Sequence, residues 1–310
     1  MAWATLDASG VYRIAGPTTV GDPETLLQRL FEMADGAGSV LAGFDFPIGV
    51  PSRYAELAGI GSFARVLPEF GTGEWADFYS VADSPAEITL RRPFFPNRSG
   101  RKGEHAQAQL YTALGLRGME GLLRVCDRAT PERRAACSMF WTLGGNQVGK
   151  AAISGWREVV APAIRDGRRP VALWPFDGTL DALLVQPRIV VAETYPTEFY
   201  GHIGIRLAGS KRQQSDRSAA TPALSAWLAH DEVAGRVRLE PSAEDAIALA
   251  FGDRANGEDQ FDAFVGLLGM LNIVLGRRPP GEPPDASPQR SVEGWILGQQ
   301  AQPAVNALFP

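Results

Sequence analysis

The chain is predicted to be a mixed α/β protein in which helices cover a sheet and a largely helical segment interrupts it. Three observations carry this. Residues 39–44 and 188–192 are short, nearly all-apolar runs, and each ends in a carboxylate, Asp45 or Glu193, followed by a proline turn. Such runs suit strands buried on both faces. A helix pattern opening at Asp22 separates the first run from a hairpin pattern at the N-terminus. Between the two runs, residues 52 to about 172 read as helical pieces and broken loops, without a linker-like boundary.

In order along the chain, residues 3–7 and 11–15 form two short strands around a Ser-Gly turn, ended by Gly16-Pro17. Asp22 caps the next helix, Pro23 is its first residue, and Leu26, Leu27, Leu30 and Phe31 make its apolar face. The Asp45 strand follows, and the Pro-x-Gly-x-Pro of 47–51 forces a turn. Residues 53–57, 63–70, 104–113 and 151–165 read as helices. Residues 171–175 and 188–193 return as strands. Helices are expected at about 220–230, from Ser242 as N-cap, and over 259–274, which is apolar enough to pack across the sheet and carries Asp262 in its first turn. A Pro-rich loop at 279–288 leads to the tail Val292-Glu-Gly-Trp-Ile-Leu297. One domain spanning 1–310, with a helical insertion or cap at about 52–172, is the expected organisation.

Composition narrows the function classes. A net charge of -5 gives no overall attraction for nucleic acid, so a nucleic-acid substrate needs a local basic patch or bound cations. Two cysteines, Cys126 and Cys137, make neither a disulfide framework nor a four-ligand zinc site. With no long apolar stretch and no leader pattern, a cytoplasmic protein outside the membrane is expected. The three histidines are scattered and there is no Gly-x-Ser-x-Gly elbow, which argues against Ser-His-Asp chemistry.

The chemistry-bearing residues are acidic. Asp45 either lies at the carboxyl edge of the sheet, where open α/β sheets place ligands, or caps the Pro-Gly turn through its own backbone; both readings are open. Asp45, Glu193 and Asp262 brought together repel one another unless a cation neutralises them. Oxygen-only ligands suit Mg²⁺ or Mn²⁺, and such a site can hold two ions about 3.5–4 Å apart. Asp245 is accounted for as a helix-start residue beside Ser242, and Asp259 is expected to face solvent.

The blocks Ala42-Gly-Phe-Asp-Phe-Pro-Ile-Gly-Val-Pro51, Val190-Val-Ala-Glu-Thr-Tyr-Pro196 and Phe261-Asp-Ala263 resemble those of the predicted RNase H-like nucleases (domain of unknown function 429). Cys126-Asp127-Arg128, Ser210-Lys211 with Arg217, and Glu293-Gly-Trp-Ile-Leu-Gly298 are weaker echoes. The resemblance covers most of the chain in short blocks. It implies an RNase H-like mixed sheet flanked by helices, and metal-dependent phosphodiester hydrolysis. Asp45, Glu193 and Asp262 are then catalytic and metal-binding, with Lys211, Arg217 and Arg128 on a nucleic acid or other phosphodiester; Lys150 joins them from its own glycine-rich loop pattern. RNase H-like folds open with three antiparallel strands, the first carrying a metal-bridging aspartate. Only two strands fit here before Asp22, and Asp7, in its Ala-Ser-Gly context, reads as a turn residue.

Two alternatives stand beside the hydrolase. One is a non-catalytic RNase H-like binding protein that lacks the first ligand. The other uses Gly144-Gly-Asn-Gln-Val-Gly-Lys150, which matches a phosphate-cradling loop except that Ala151 replaces the Mg²⁺-binding hydroxyl residue. The basic stretch Arg91, Arg92, Arg98, Arg101 and Lys102 is either a phosphate grip or a solvated loop.

Overall fold

In the computed structural model, residues 1–34, 38–96, 104–130, 133–143, 147–254 and 256–300 are described. The N-terminal hairpin forms as β1 (Trp3–Leu6) and β2 (Tyr12–Ala15), paired antiparallel with Trp3 opposite Ala15. Asp7 closes its turn by accepting from the Ser9 and Val11 amides and pairing with Arg13 at 2.8 Å. Asp22 accepts from the Glu24 amide and opens a 3₁₀ turn with Pro23 at its head, which runs into α1 (Leu26–Met33). β3 (Val40–Phe44) follows.

The segment expected to be an insertion begins with α2 (Ser52–Ala58) and α3 (Phe63–Val66) and continues through 3₁₀ turns to α4 (Glu104–Ala113). The helix expected at 151–165 is one run in three parts: α5 (Val148–Ser154), a π-helical stretch Gly155–Val160, and α6 (Ala161–Asp166). Aromatic side chains supply the insertion's core. Phe70 stacks on Phe78 at 3.7 Å, and Phe63 meets Trp156 edge-on at 5.1 Å.

β4 (Val171–Leu173), α7 (Leu180–Leu184) and β5 (Ile189–Glu193) return the chain to the sheet. α8 (Pro196–His202), α9 (Gln214–Leu228), β6 (Val237–Leu239), α10 (Pro241–Ala248) and α11 (Gly257–Val274) complete the chain up to the Pro-rich loop. Several boundaries differ from expectation. α9 starts at Gln214 rather than about 220, and the helix expected over 63–70 stops at Val66 and goes on as a 3₁₀ turn. Two more lie at α10 and α11. Pro241 is the first residue of α10, so Ser242 lies inside it and its hydroxyl accepts from the Gly16 amide instead. α11 starts at Gly257, which moves Asp262 out of the first turn and beyond the reach of the helix dipole.

The strands divide into two three-stranded sheets rather than one mixed sheet. Their orders are β1–β2–β6, which is mixed, and β3–β5–β4, which is parallel throughout. The division has a definite cause. β6, where no strand was expected, pairs parallel to β2 and takes its second edge, while β3 pairs only with β5. The hairpin and the Asp45 strand therefore belong to different sheets, and α11 touches both β1 and β3.

β5 is buried on both faces, as its apolar run required. Ile189 and Val191 point into the core shared with α1 and the insertion, and Val190 and Ala192 into a second core with Trp174, Ile273 and Trp295. In β3, Ala42 joins the insertion-side core and Leu41 packs on the other face. A Cβ at Gly43 would lie 2.5 Å from the Met270 sulfur, so the glycine lets α11 press against the strand. Among the described residues no helix is long and apolar enough to cross a membrane.

Candidate active site

The parallel pairing of β3 with β5 places Phe44 opposite Glu193. Both carboxylate-bearing strand ends thus reach the same edge of the sheet, but the register separates their side chains. Residues directly opposite in a sheet share a face, and the next residue along takes the other. Glu193 shares the insertion side with Phe44, while Asp45 is left on the α11 side.

The surroundings of the two residues match this division. Glu193 is buried, and both its oxygens are taken: Arg124 donates to Oε1 at 2.7 Å and to Oε2 at 2.6 Å, and the Ile48 amide donates to Oε2 at 2.8 Å. Arg124, itself fully buried, also binds Asp127 through Nε and Nη2. Glu293 completes the knot by accepting from the Ser52 and Val125 amides. Burial pushes the Glu193 carboxyl up, against the downward pull of Arg124 and the Ile48 amide. The Arg124 guanidinium is held ionised well above its ordinary value, because Asp127 and Glu193 outweigh its own burial. Arg124 thus compensates the Glu193 charge, and through these bonds Glu193 ties β5 to the turn after β3 and to the segment of Arg124.

On the α11 side, Asp262 accepts from the Lys211 ammonium at Oδ2 and from the Tyr200 hydroxyl at Oδ1. Glu258, one turn earlier on α11, lies 3.4 Å from the same ammonium. Burial pushes Asp262 up, while Lys211 and Tyr200 pull it down. Burial alone would lower the Lys211 ammonium, but Asp262, Glu258 and Asp45 overcome it and hold it above its ordinary value. The Tyr200 phenol is raised by burial and then by Asp262, so it stays a donor.

Asp45 makes no hydrogen bond among the described residues. Crowding by protein atoms, then the charge of Asp262, raise its carboxyl to about 7; Lys211 opposes them, and Glu193 adds a small further push upward. By surface area the residue is exposed. Crowding and exposure pull in opposite directions, and water at its surface works against the shift. The carboxyl therefore keeps its proton above the ordinary acidic range.

Of the expected substrate-binding residues, Lys211 alone sits with the carboxylates. Arg217 is buried and donates to the carbonyls of Lys211, Ala250 and Gly252, so it fixes the loop that carries Lys211. Arg128 and Lys150 are exposed. Lys150 lies in α5, and residues 144–146 of its glycine-rich loop lie outside the described residues. Arg91 stacks on Trp75 at 3.6 Å and pairs with Glu74, and Arg92 pairs with Glu87, so both brace the insertion. Arg98, Arg101 and Lys102 lie outside the described residues. Asp259 is exposed, as expected.

Arg124, Glu258 and Tyr200 were not singled out in the sequence. Arg124 had a usable signal, since a cation between Leu123 and Val125 with Asp127 three residues on calls for a buried partner. A cavity of about 730 Å³ lies elsewhere, between the Gly59–Ser62 turn, Trp75 and Arg290. Neither Asp45, Asp262 nor Lys211 lines it, and Arg290 there is tied to Glu282 and Asp285.

Among the described residues no group of three or more His, Cys, Asp or Glu side chains is arranged to hold a metal ion. The expected three-carboxylate, two-ion cluster is therefore not assembled, because Glu193 faces Arg124. Asp45 and Asp262 remain as oxygen donors on one side of the sheet. Two carboxylates fit a single Mg²⁺, which keeps several waters and completes its shell with substrate phosphate. No family model, curated protein or solved structure matches this chain.

Proposed function

We propose that the chain is a divalent-cation-dependent phosphodiester hydrolase, acting on nucleic acid or another phosphodiester, with its reacting groups at Asp45, Asp262 and Lys211. The observation that supports this reading is the meeting of two mutually repelling carboxylates with a lysine at the carboxyl end of a parallel sheet. Ligands of open α/β sheets bind at that edge, and cation binding relieves the repulsion between the two acids. The resemblance of the blocks around Asp45, Glu193 and Asp262 points the same way.

Asp45 and Asp262 would hold one Mg²⁺ or Mn²⁺ ion, which supplies charge neutralisation at the phosphoryl oxygens and acidifies a bound water. Asp45, as a ligand of that ion, would be held ionised by its charge, which offsets the crowding and the Asp262 charge that raise the carboxyl in the free chain. Tyr200 orients Asp262 through its hydroxyl. Glu193, Arg124 and Glu293 contribute by holding the turn after β3, and with it Asp45, in place.

The test is cleavage of single-stranded, duplex and hybrid nucleic acids and of a small bis-aryl phosphodiester, with Mg²⁺, Mn²⁺ or chelator. Cation-dependent cleavage that falls at least about 100-fold in Asp45→Asn is expected, because even the groups that only orient a metal's ligands cost about 10–100-fold when removed. Cleavage equal in chelator, or unchanged in Asp45→Asn, overturns the reading. Cation binding without turnover on any of these substrates would favour the binding-protein alternative, which the engaged state of Glu193 also suits.

A further inference from the structure

The Lys211 ammonium is a cation already seated among the carboxylates. It bonds to Asp262, lies 3.4 Å from Glu258, and is near enough to Asp45 for each to shift the other's charge. Its placement is built. Arg217, buried below, ties the Lys211 carbonyl, and through Ala250 and Gly252 anchors the same loop to the segment ahead of α11. Lys211 is also about one third exposed, so its long stem can swing outward without breaking a core.

We propose that Lys211 is an internal counter-cation that occupies the place of the divalent ion and must leave Asp262 when the ion binds, becoming free to hold the substrate phosphate. This rests on the hydrolase reading of the same site. Two positive charges compete for Asp262, so Lys211 weakens ion binding in the absence of substrate. A phosphate offers the displaced ammonium a new partner, so substrate and ion bind with positive coupling. Removing the ammonium leaves Asp45 and Asp262 without a cation, while Glu258 keeps Arg212 at 3.2 Å, and the site then binds a divalent ion more tightly but loses its grip on phosphate.

The experiment is Mn²⁺ titration of the full chain, followed by calorimetry and by the electron-spin resonance signal of free Mn²⁺. It uses wild type, Lys211→Met, Lys211→Arg and Asp262→Asn, each with and without inorganic phosphate. Lys211→Met is expected to bind Mn²⁺ at least about tenfold more tightly than wild type, as loss of a cation next to the ligand requires. Lys211→Arg should keep wild-type affinity or weaker, and phosphate should tighten Mn²⁺ binding in wild type but not in Lys211→Met. If wild type binds Mn²⁺ and Lys211→Met binds it no more tightly, Lys211 is not the counter-cation, while the hydrolase reading survives. If neither binds Mn²⁺, the proposal falls together with the cation-dependent reading beneath it.

Discussion

At the scale of single residues, the site turns on which α11 carboxylate faces the sheet. Asp262 is held by Tyr200 and Lys211, whereas Asp259, three residues earlier, is exposed. Since Asp262 lies in the second turn of α11, the helix dipole does not account for its placement, and its ammonium and phenol partners do. Asp262→Asn is therefore expected to lower cation-dependent turnover at least about 100-fold, the scale of a lost reacting group, while Asp259→Asn stays within about twofold. Parallel Mn²⁺ titrations report the same contrast without requiring turnover, and the reverse order would show that the wrong carboxylate had been chosen. Asp262 was legible because an acid heading an apolar helix is conspicuous. Its neighbours were not, because Glu258 and Tyr200 look like ordinary surface residues until α8 and α11 pack together.

At the scale of elements, the turn after β3 and the tail of the chain lock through two glycines. Gly49 has φ +135, and a Cβ on it would lie 2.0 Å from the Glu293 carbonyl oxygen. Gly294 has φ +71, and its Cβ would lie 2.0 Å from the Ile48 carbonyl oxygen. The backbones approach so closely that Glu293 reaches the Ser52 and Val125 amides. Gly59→Ala, also at positive φ but with open space around it, should cost only about 1–2 kcal/mol for its left-handed backbone. Gly49→Ala adds a backbone clash and should cost clearly more, at least about 2–4 kcal/mol. Urea denaturation of the two variants checks the ranking, and equal losses would remove the lock. The sequence made the turn and the Glu-Gly-Trp block visible separately, as Pro and Gly punctuation does. That they touch across more than 240 residues is tertiary information, as is β6, whose three residues are too few to carry an alternating pattern.

At the scale of the whole molecule, α11 touches both β1 and β3, and the acidic residues it carries lie beside the end of the parallel sheet. The strand ends bearing Asp45 and Glu193 were legible, since apolar runs cut off by proline announce them. The face each carboxylate takes was not, because it depends on a one-residue offset in pairing that neither strand encodes alone. That offset gives Glu193 its arginine and leaves Asp45 without one, which has a consequence for stability. The Asp45 carboxyl is raised above its ordinary value of 3.8 in the folded chain, so from that pH up to its raised value the folded state keeps a proton that the unfolded state releases. Stability then falls as pH rises through this window. Asp262, also raised, acts in the same direction, and Lys211 opposes both. Asp45→Asn removes the titrating group while keeping its shape, so the variant should melt at the wild-type temperature near pH 4 and above it at pH 8. Mg²⁺ at pH 8 should close the gap by raising the wild-type melting temperature more than that of the variant, because the ion offsets the charge that burdens the folded state. A variant less stable than wild type at pH 8 would mean that ionised Asp45 supports the fold, and would return it to the role of a turn cap.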